Sequence, residues 1–170
     1  ESAVIASSSI FQIPKNISCY PNAAPNSINI KTKESLKKIS DDKYVIYIGR
    51  IHDLKGAAWL KEIAKKLPHI KFQIICPPDQ RMLSRIPNLT YLSSKISKAE
   101  LFSQAKLVIV PSLYETASMV GIEAISAGIP VLTWEHIGLT EYANEQMVKK
   151  VTPFRIDEFI TMIDKEACNV

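Results

Sequence analysis

Two carboxylates and two cations stand out by their settings. Glu115 and Glu123 lie eight positions apart in the stretch KLVIVPSLYETASMVGIEAISAGIPV, from Lys106 to Val131. Glu123 is the only charged residue between Ala117 and Ala127, a segment otherwise built from Ala, Ser, Met, Val, Gly and Ile. Carboxylates are rarely buried without a partner, so Glu123 is expected to face a polar cleft or a ligand. Eight positions correspond to about two helical turns. Arg50 and Lys55 follow the apolar run from Tyr44 to Ile48. A guanidinium is a forked donor and an ammonium a point charge, and together they suit a diphosphate. Ser118, Met119 and Val120 add free backbone amides if a helix opens there at the end of a parallel strand. The plainer alternatives are a helix N-terminal carboxylate at Glu115, a solvated face at Glu123 and two exposed loop cations at Arg50 and Lys55.

The other chemistry-bearing residues are less organised. His52 is close to Arg50 and within reach of a phosphate, but a loop histidine is the simpler reading. His69 and His136 have no evident partner. Cys76 ends an apolar strand and reads as a small core residue rather than a nucleophile. Trp59 falls on the apolar face of a helix. Trp134 follows a strand and is left open as core or cleft lining. Lys95 and Ile96 follow the third strand, where a base pocket would have its border. The triplet Asp-x-Asp, which a divalent metal on a diphosphate would call for, does not occur in the chain. Neither do the glycine-rich dinucleotide fingerprint, the Walker A loop or the G-x-S-x-G elbow.

The elements that must position these residues alternate between strand and helix. Strands are expected at Lys43–Ile48, Lys71–Cys76, Leu89–Leu92, Leu107–Val110, Ile129–Thr133 and Met147–Val151. Helices are expected at Ala57–Leu67, Ser97–Gln104, Ala117–Ala127 and Ile156–Ala167, with a shorter one at Gly138–Asn144. Ser97 and Glu100 have capping-box spacing. Gly128 with Pro130 marks the end of the segment that carries Glu123. Asp79–Arg85 reads as a helical turn, Lys31–Ile39 as a basic helix and Ala3–Ala6 as a short strand. The alternation argues for a doubly wound α/β parallel sheet wrapped on both faces.

These motifs resemble a known family. Pro111-Ser112, Glu115, Glu123-Ala124 and Gly128-Ile129-Pro130-Val131 are similar to the E-x7-E signature of the retaining GT-B glycosyltransferases, the large family that includes bacterial sugar transferases and sucrose synthases. Gly49-Arg50 and Lys55-Gly56 resemble that family's second motif. The resemblance runs from about Tyr44 to Glu141. The family usually has Gly, then Gly or Pro, after the first Glu; here Thr116-Ala117-Ser118 stands in that place. The resemblance implies a Rossmann-like C-terminal half of a GT-B fold. It implies that Arg50 and Lys55 hold the donor's diphosphate and stabilise the leaving nucleotide. It further implies that Glu115 contacts the donor sugar and that Glu123 holds the ribose hydroxyls. Residues 1–30 are then expected to be a crossover from a missing N-terminal acceptor domain, and residues 31–170 the nucleotide-sugar donor domain. Transfer of a hexose with retention, in bacterial polysaccharide or glycolipid synthesis and without a metal or other cofactor, is the activity implied. The isolated piece would bind nucleotide and turn over little.

Composition agrees with this reading without compelling it. The 170 residues carry 21 Lys and Arg against 17 Asp and Glu, a net charge of +4. That suits an anionic nucleotide and is compatible with an anionic membrane surface, while no nucleic acid partner is expected. Cys19, Cys76 and Cys168 are odd in number and widely spaced, with no disulfide or metal pattern, which fits a reducing compartment. The sequence has no run of the ~18 apolar residues that a membrane span needs and no signal-peptide pattern. A cytoplasmic protein, peripheral at most to the inner face of the membrane, is expected. The alternatives are a non-hydrolysing nucleotide-sugar epimerase, which would need an acid/base pair around the sugar, and a binding-only, degenerate transferase domain. A phosphoacceptor receiver would need acidic residues after its first strands, where Gly49-Arg50 and Cys76-Pro77 stand instead.

Overall fold

A computed structural model describes residues 43–80, 85–141 and 144–168. The expected strand at Ala3–Ala6, the helix at Lys31–Ile39 and the crossover segment 1–30 lie outside the described residues. Six strands are present: β1 Tyr44–Ile48, β2 Phe72–Ile75, β3 Leu89–Tyr91, β4 Ala105–Val110, β5 Val131–Trp134 and β6 Val148–Val151. Four α-helices accompany them: α1 Ala57–Lys66, α2 Lys98–Ser103, α3 Met119–Ser126 and α4 Ile156–Cys168. The sheet order is β3-β2-β1-β4-β5-β6, and every neighbouring pair is parallel. This is the doubly wound order with its reversal between β1 and β4.

Central strands of such a sheet are covered on both faces, so they read as unbroken apolar runs. Leu107 to Val110 of β4 and Val45 to Tyr47 of β1 are accordingly buried. The outer strand β6 of the described sheet, VKKV, is buried only at its two valines, and lysines such as its central pair discourage edge-to-edge pairing with another chain. Right-handed crossovers place α1 on one face and α2 and α3 on the other. The returning helix α4 packs beside α1 and across β4 and β5. Trp134 sits at the centre of that layer, fully buried, with its ring 4.5 Å from Phe159 and 6.3 Å from Trp59. Trp134 is therefore core and not cleft lining. Cys76 is buried core as expected.

Helix ends follow their local chemistry. Ser97 caps α2, its hydroxyl accepting from the Glu100 amide at 3.2 Å. Gly128 closes α3 in the left-handed region at φ 76°. Asn88 anchors the end of α1: its side-chain amide donates to the carbonyls of Ala64, Leu67 and Ile70 at 2.8–3.0 Å. Of the helix expected at Gly138–Asn144, Gly138–Glu141 is a 3-10 turn and residues 142–143 lie outside the described residues; of the turn expected at Asp79–Arg85, residues 81–84 lie outside them, after a 3-10 turn at Pro78–Gln80. Among the described residues, no helix is long and apolar enough to cross a membrane.

Candidate functional site

In an open parallel sheet, the carboxyl ends of the two strands that flank the order reversal diverge and leave a crevice. Here those strands are β1 and β4, and the crevice between their following loops has a volume of about 330 Å³. Arg50 and Lys55 reach it from the β1 loop, Glu115 from the β4 loop, and Ser118, Met119 and Val120 from the start of α3. The structure thus brings six of the seven candidate residues around one cavity.

The two loops are fastened to each other. The Leu113 amide donates to the Leu54 carbonyl at 2.9 Å. Lys55 Nζ forms an ion pair with Glu115 Oε2 across the cavity. Gly56 lies at φ 77°, and a Cβ on it would stand 2.2 Å from the Pro111 carbonyl oxygen. Only glycine permits both that backbone conformation and that approach. From below, the Tyr47 hydroxyl donates to the Arg50 carbonyl at 2.7 Å. Burial pushes the Tyr47 phenol far above its ordinary range, so it stays a donor. His52 caps the 3-10 turn Asp53–Lys55 by accepting from the Leu54 amide through Nδ1 at 3.2 Å. Its role is that of a loop histidine.

Glu115 does not stand at the helix start. The helix opens only at Met119, with Ser118 as its cap accepting from the Gly121 amide, and Glu115 lies in the preceding loop. The Thr116-Ala117-Ser118 stretch is a bent loop rather than a first helical turn because the cap belongs to Ser118. Freed from the helix, Glu115 can reach across to Lys55.

Glu123 is the seventh residue, and it does not line the crevice wall. It is 4% exposed, one turn into α3. Lys98 Nζ, at the start of α2, forms an ion pair with Glu123 Oε1. Glu123 Oε2 is buried without a hydrogen-bond partner among the described residues. An ionised oxygen left so is costly. A hydroxyl donor from a ligand would satisfy it. Lys98 is the residue that sequence reasoning missed. No local signal points to it, because its acid lies 25 positions away on another helix and Glu100 already supplies a carboxylate in the first turn of α2. His136 and His69 also have partners, the Leu113 carbonyl at 2.9 Å and Asp164 at 2.7 Å.

The profile of the family described as glycosyl transferases group 1 matches residues 42–165. The chain belongs to that family. The D-inositol 3-phosphate glycosyltransferase of Mycolicibacterium smegmatis is 29% identical over 108 residues, which cover 55% of this chain and 25% of that protein. Sucrose-phosphate synthase from Thermosynechococcus elongatus superposes with a TM-score of 0.75 at 20% identity, over 98% of this chain and 47% of that one. A trehalose-6-phosphate structure from E. coli, bound with UDP-2-fluoro glucose, superposes with a TM-score of 0.57 at 15% identity, over 76% of this chain and 37% of that one. These likenesses show the Rossmann-like GT-B architecture. The chain spans a quarter to about a third of the length of the curated relatives it matches.

Proposed function

We propose that this chain is the donor-binding, C-terminal half of a retaining group 1 glycosyltransferase that uses a nucleoside diphosphate sugar. The observation that carries this reading is the crevice at the β1/β4 reversal. It places two cations, a carboxylate and a helix start on one small cavity. Arg50 and Lys55 bind the diphosphate, and the amides at Ser118 to Val120 take further phosphate oxygens. On donor binding Lys55 exchanges Glu115 for phosphate. Glu115 is then released to accept hydrogen bonds from the sugar hydroxyls. Glu123 receives the ribose hydroxyls on its unpaired oxygen once Lys98 shifts aside.

In the transfer step the bond between the anomeric carbon and the diphosphate oxygen breaks, and a bond from the acceptor oxygen forms on the same face. The acceptor's proton passes to the departing diphosphate oxygen. Negative charge growing on that oxygen is met by Arg50 and Lys55, which is where stabilisation of the transition state is worth most. These two cations fill the role that a metal on an Asp-x-Asp triplet would otherwise have, so metal-independent transfer is part of the proposal. The acceptor and its binding domain belong to the remainder of the protein.

The test separates the two carboxylates. Glu123→Gln replaces an acceptor oxygen with a donor and is expected to weaken nucleoside diphosphate binding to this chain. Glu115→Gln is expected to leave that binding intact and, in the two-domain protein, to lower kcat. Loss of nucleotide affinity in Glu115→Gln with none in Glu123→Gln would reverse the roles.

A further inference from the structure

A second cluster lies at the other end of the sheet, where β1, β2 and β4 begin. His69 stands between α1 and β2, and Asp164 and Cys168 stand four residues apart on α4, hence on one face of that helix. His69 Nε2 is 2.7 Å from Asp164 Oδ1, and Cys168 Sγ is 3.5 Å from the same oxygen. The three candidate ligand atoms all lie within 4.8 Å of one another. We propose that His69, Asp164 and Cys168 form a metal site for a zinc-class divalent cation, with a water as fourth ligand. No local spacing in the sequence announces it, because 95 positions separate His69 from Asp164.

The geometry is close to what such an ion requires. Bonds of about 2.0–2.3 Å to nitrogen, oxygen and sulfur put neighbouring ligands of a tetrahedron about 3.3–3.8 Å apart. The Asp164–Cys168 pair already has that separation. The His69–Asp164 pair needs to open by about 1 Å, and both side chains are half exposed and free to do so. A mixed set of imidazole, carboxylate and thiolate selects a borderline-soft ion over magnesium or calcium, which prefer oxygen alone. Of the neighbouring cations, Lys106 is tied to the Ala167 carbonyl at 2.6 Å and Lys43 to the Ser103 carbonyl at 2.9 Å. Each ammonium is engaged by a backbone oxygen, and the positive charge of Lys43, Lys71 and Lys106 around the site is what the Asp164 carboxylate and the Cys168 thiolate must offset. Cys168 is exposed, and binding as a thiolate releases its proton to solvent. A bound ion would clasp the end of α4 to the segment leading into β2, far from the sugar-nucleotide crevice.

The experiment is a titration of the reduced, chelator-treated chain with Co²⁺, followed by Zn²⁺. One equivalent of Co²⁺ is expected to give a thiolate-to-cobalt charge-transfer band, which one equivalent of Zn²⁺ abolishes by displacement. Zn²⁺ is also expected to raise the melting temperature. Cys168→Ser should remove the band, and His69→Ala should weaken Co²⁺ binding by about tenfold or more. Cys19→Ser should leave both unchanged. His69 and Cys168 are exposed, and a cooperative melt of each metal-free variant checks that it is folded. Absence of the band in the parent chain, its persistence in Cys168→Ser or its loss in Cys19→Ser would each overturn the site.

Discussion

A lysine with its ammonium on a buried carboxylate is a poor arrangement for stability alone, since desolvating both charges offsets much of their attraction. Glu123 and Lys98 are such a pair, with the lysine side chain about half exposed and the carboxylate almost fully covered. Removing only the cation leaves an uncompensated buried charge. Lys98→Met is therefore expected to destabilise the fold by about 1–3 kcal/mol. Adding Glu123→Gln to that variant should recover most of the loss, because the stranded charge goes with it. Urea unfolding of the two single variants and the double variant measures this; a double variant no more stable than Lys98→Met would show that the pair is not coupled. The carboxylate side of this pair was legible in the sequence, since Glu123 is alone in an apolar helix. Lys98 was not, because it comes from a helix 25 positions away and contact between α2 and α3 is set by the sheet order.

At the scale of elements, the β1 and β4 loops act as one unit. Gly56 is the point where they touch, and its replacement meets backbone rather than a side chain that could swing away. Gly56→Ala is expected to cost about 1–3 kcal/mol and to weaken nucleoside diphosphate binding, because Lys55 moves with it. Thermal unfolding and a nucleotide titration on the same variant check both parts; a variant with parental stability would contradict the close approach. Asn88→Ala, which removes a donor shared by the Ala64, Leu67 and Ile70 carbonyls at and just after the end of α1, is expected to lose about 1–3 kcal/mol without touching nucleotide affinity. The central strands could be read to within about two residues because their apolar runs are short, rich in β-branched residues and bounded by Gly or Pro, which favours a buried parallel strand over a buried helix. Helix α3 was less legible. Its apolar residues extend beyond both ends, and only the hydroxyl of Ser118 settles that Glu115 remains in the loop. Trp134 was ambiguous because one aromatic at a strand end suits either face; its tilted contact with Phe159 depends on α4, which is remote in sequence.

The whole molecule places its chemistry by topology. The strand order reverses once, and Arg50, Lys55 and Glu115 all come from the two loops at that reversal. A more open groove of about 640 Å³ lies between β6 and α4, lined among others by Glu135, Asp157, Glu158 and Lys165. Its several carboxylates disfavour a polyphosphate, so it is not the nucleotide site proposed here. If the β1/β4 crevice holds a diphosphate, affinity must depend on its two cations and on the phosphates together. The measurement is a calorimetric titration of the chain with UDP, GDP and ADP and with the matching nucleosides, repeated on Arg50→Ala and Lys55→Ala. One of the diphosphates is expected to bind the parent chain. Each substitution should weaken it by about 1.5–3 kcal/mol while barely changing the nucleoside. Equal losses for diphosphate and nucleoside, or no diphosphate binding to the parent chain, would contradict the account.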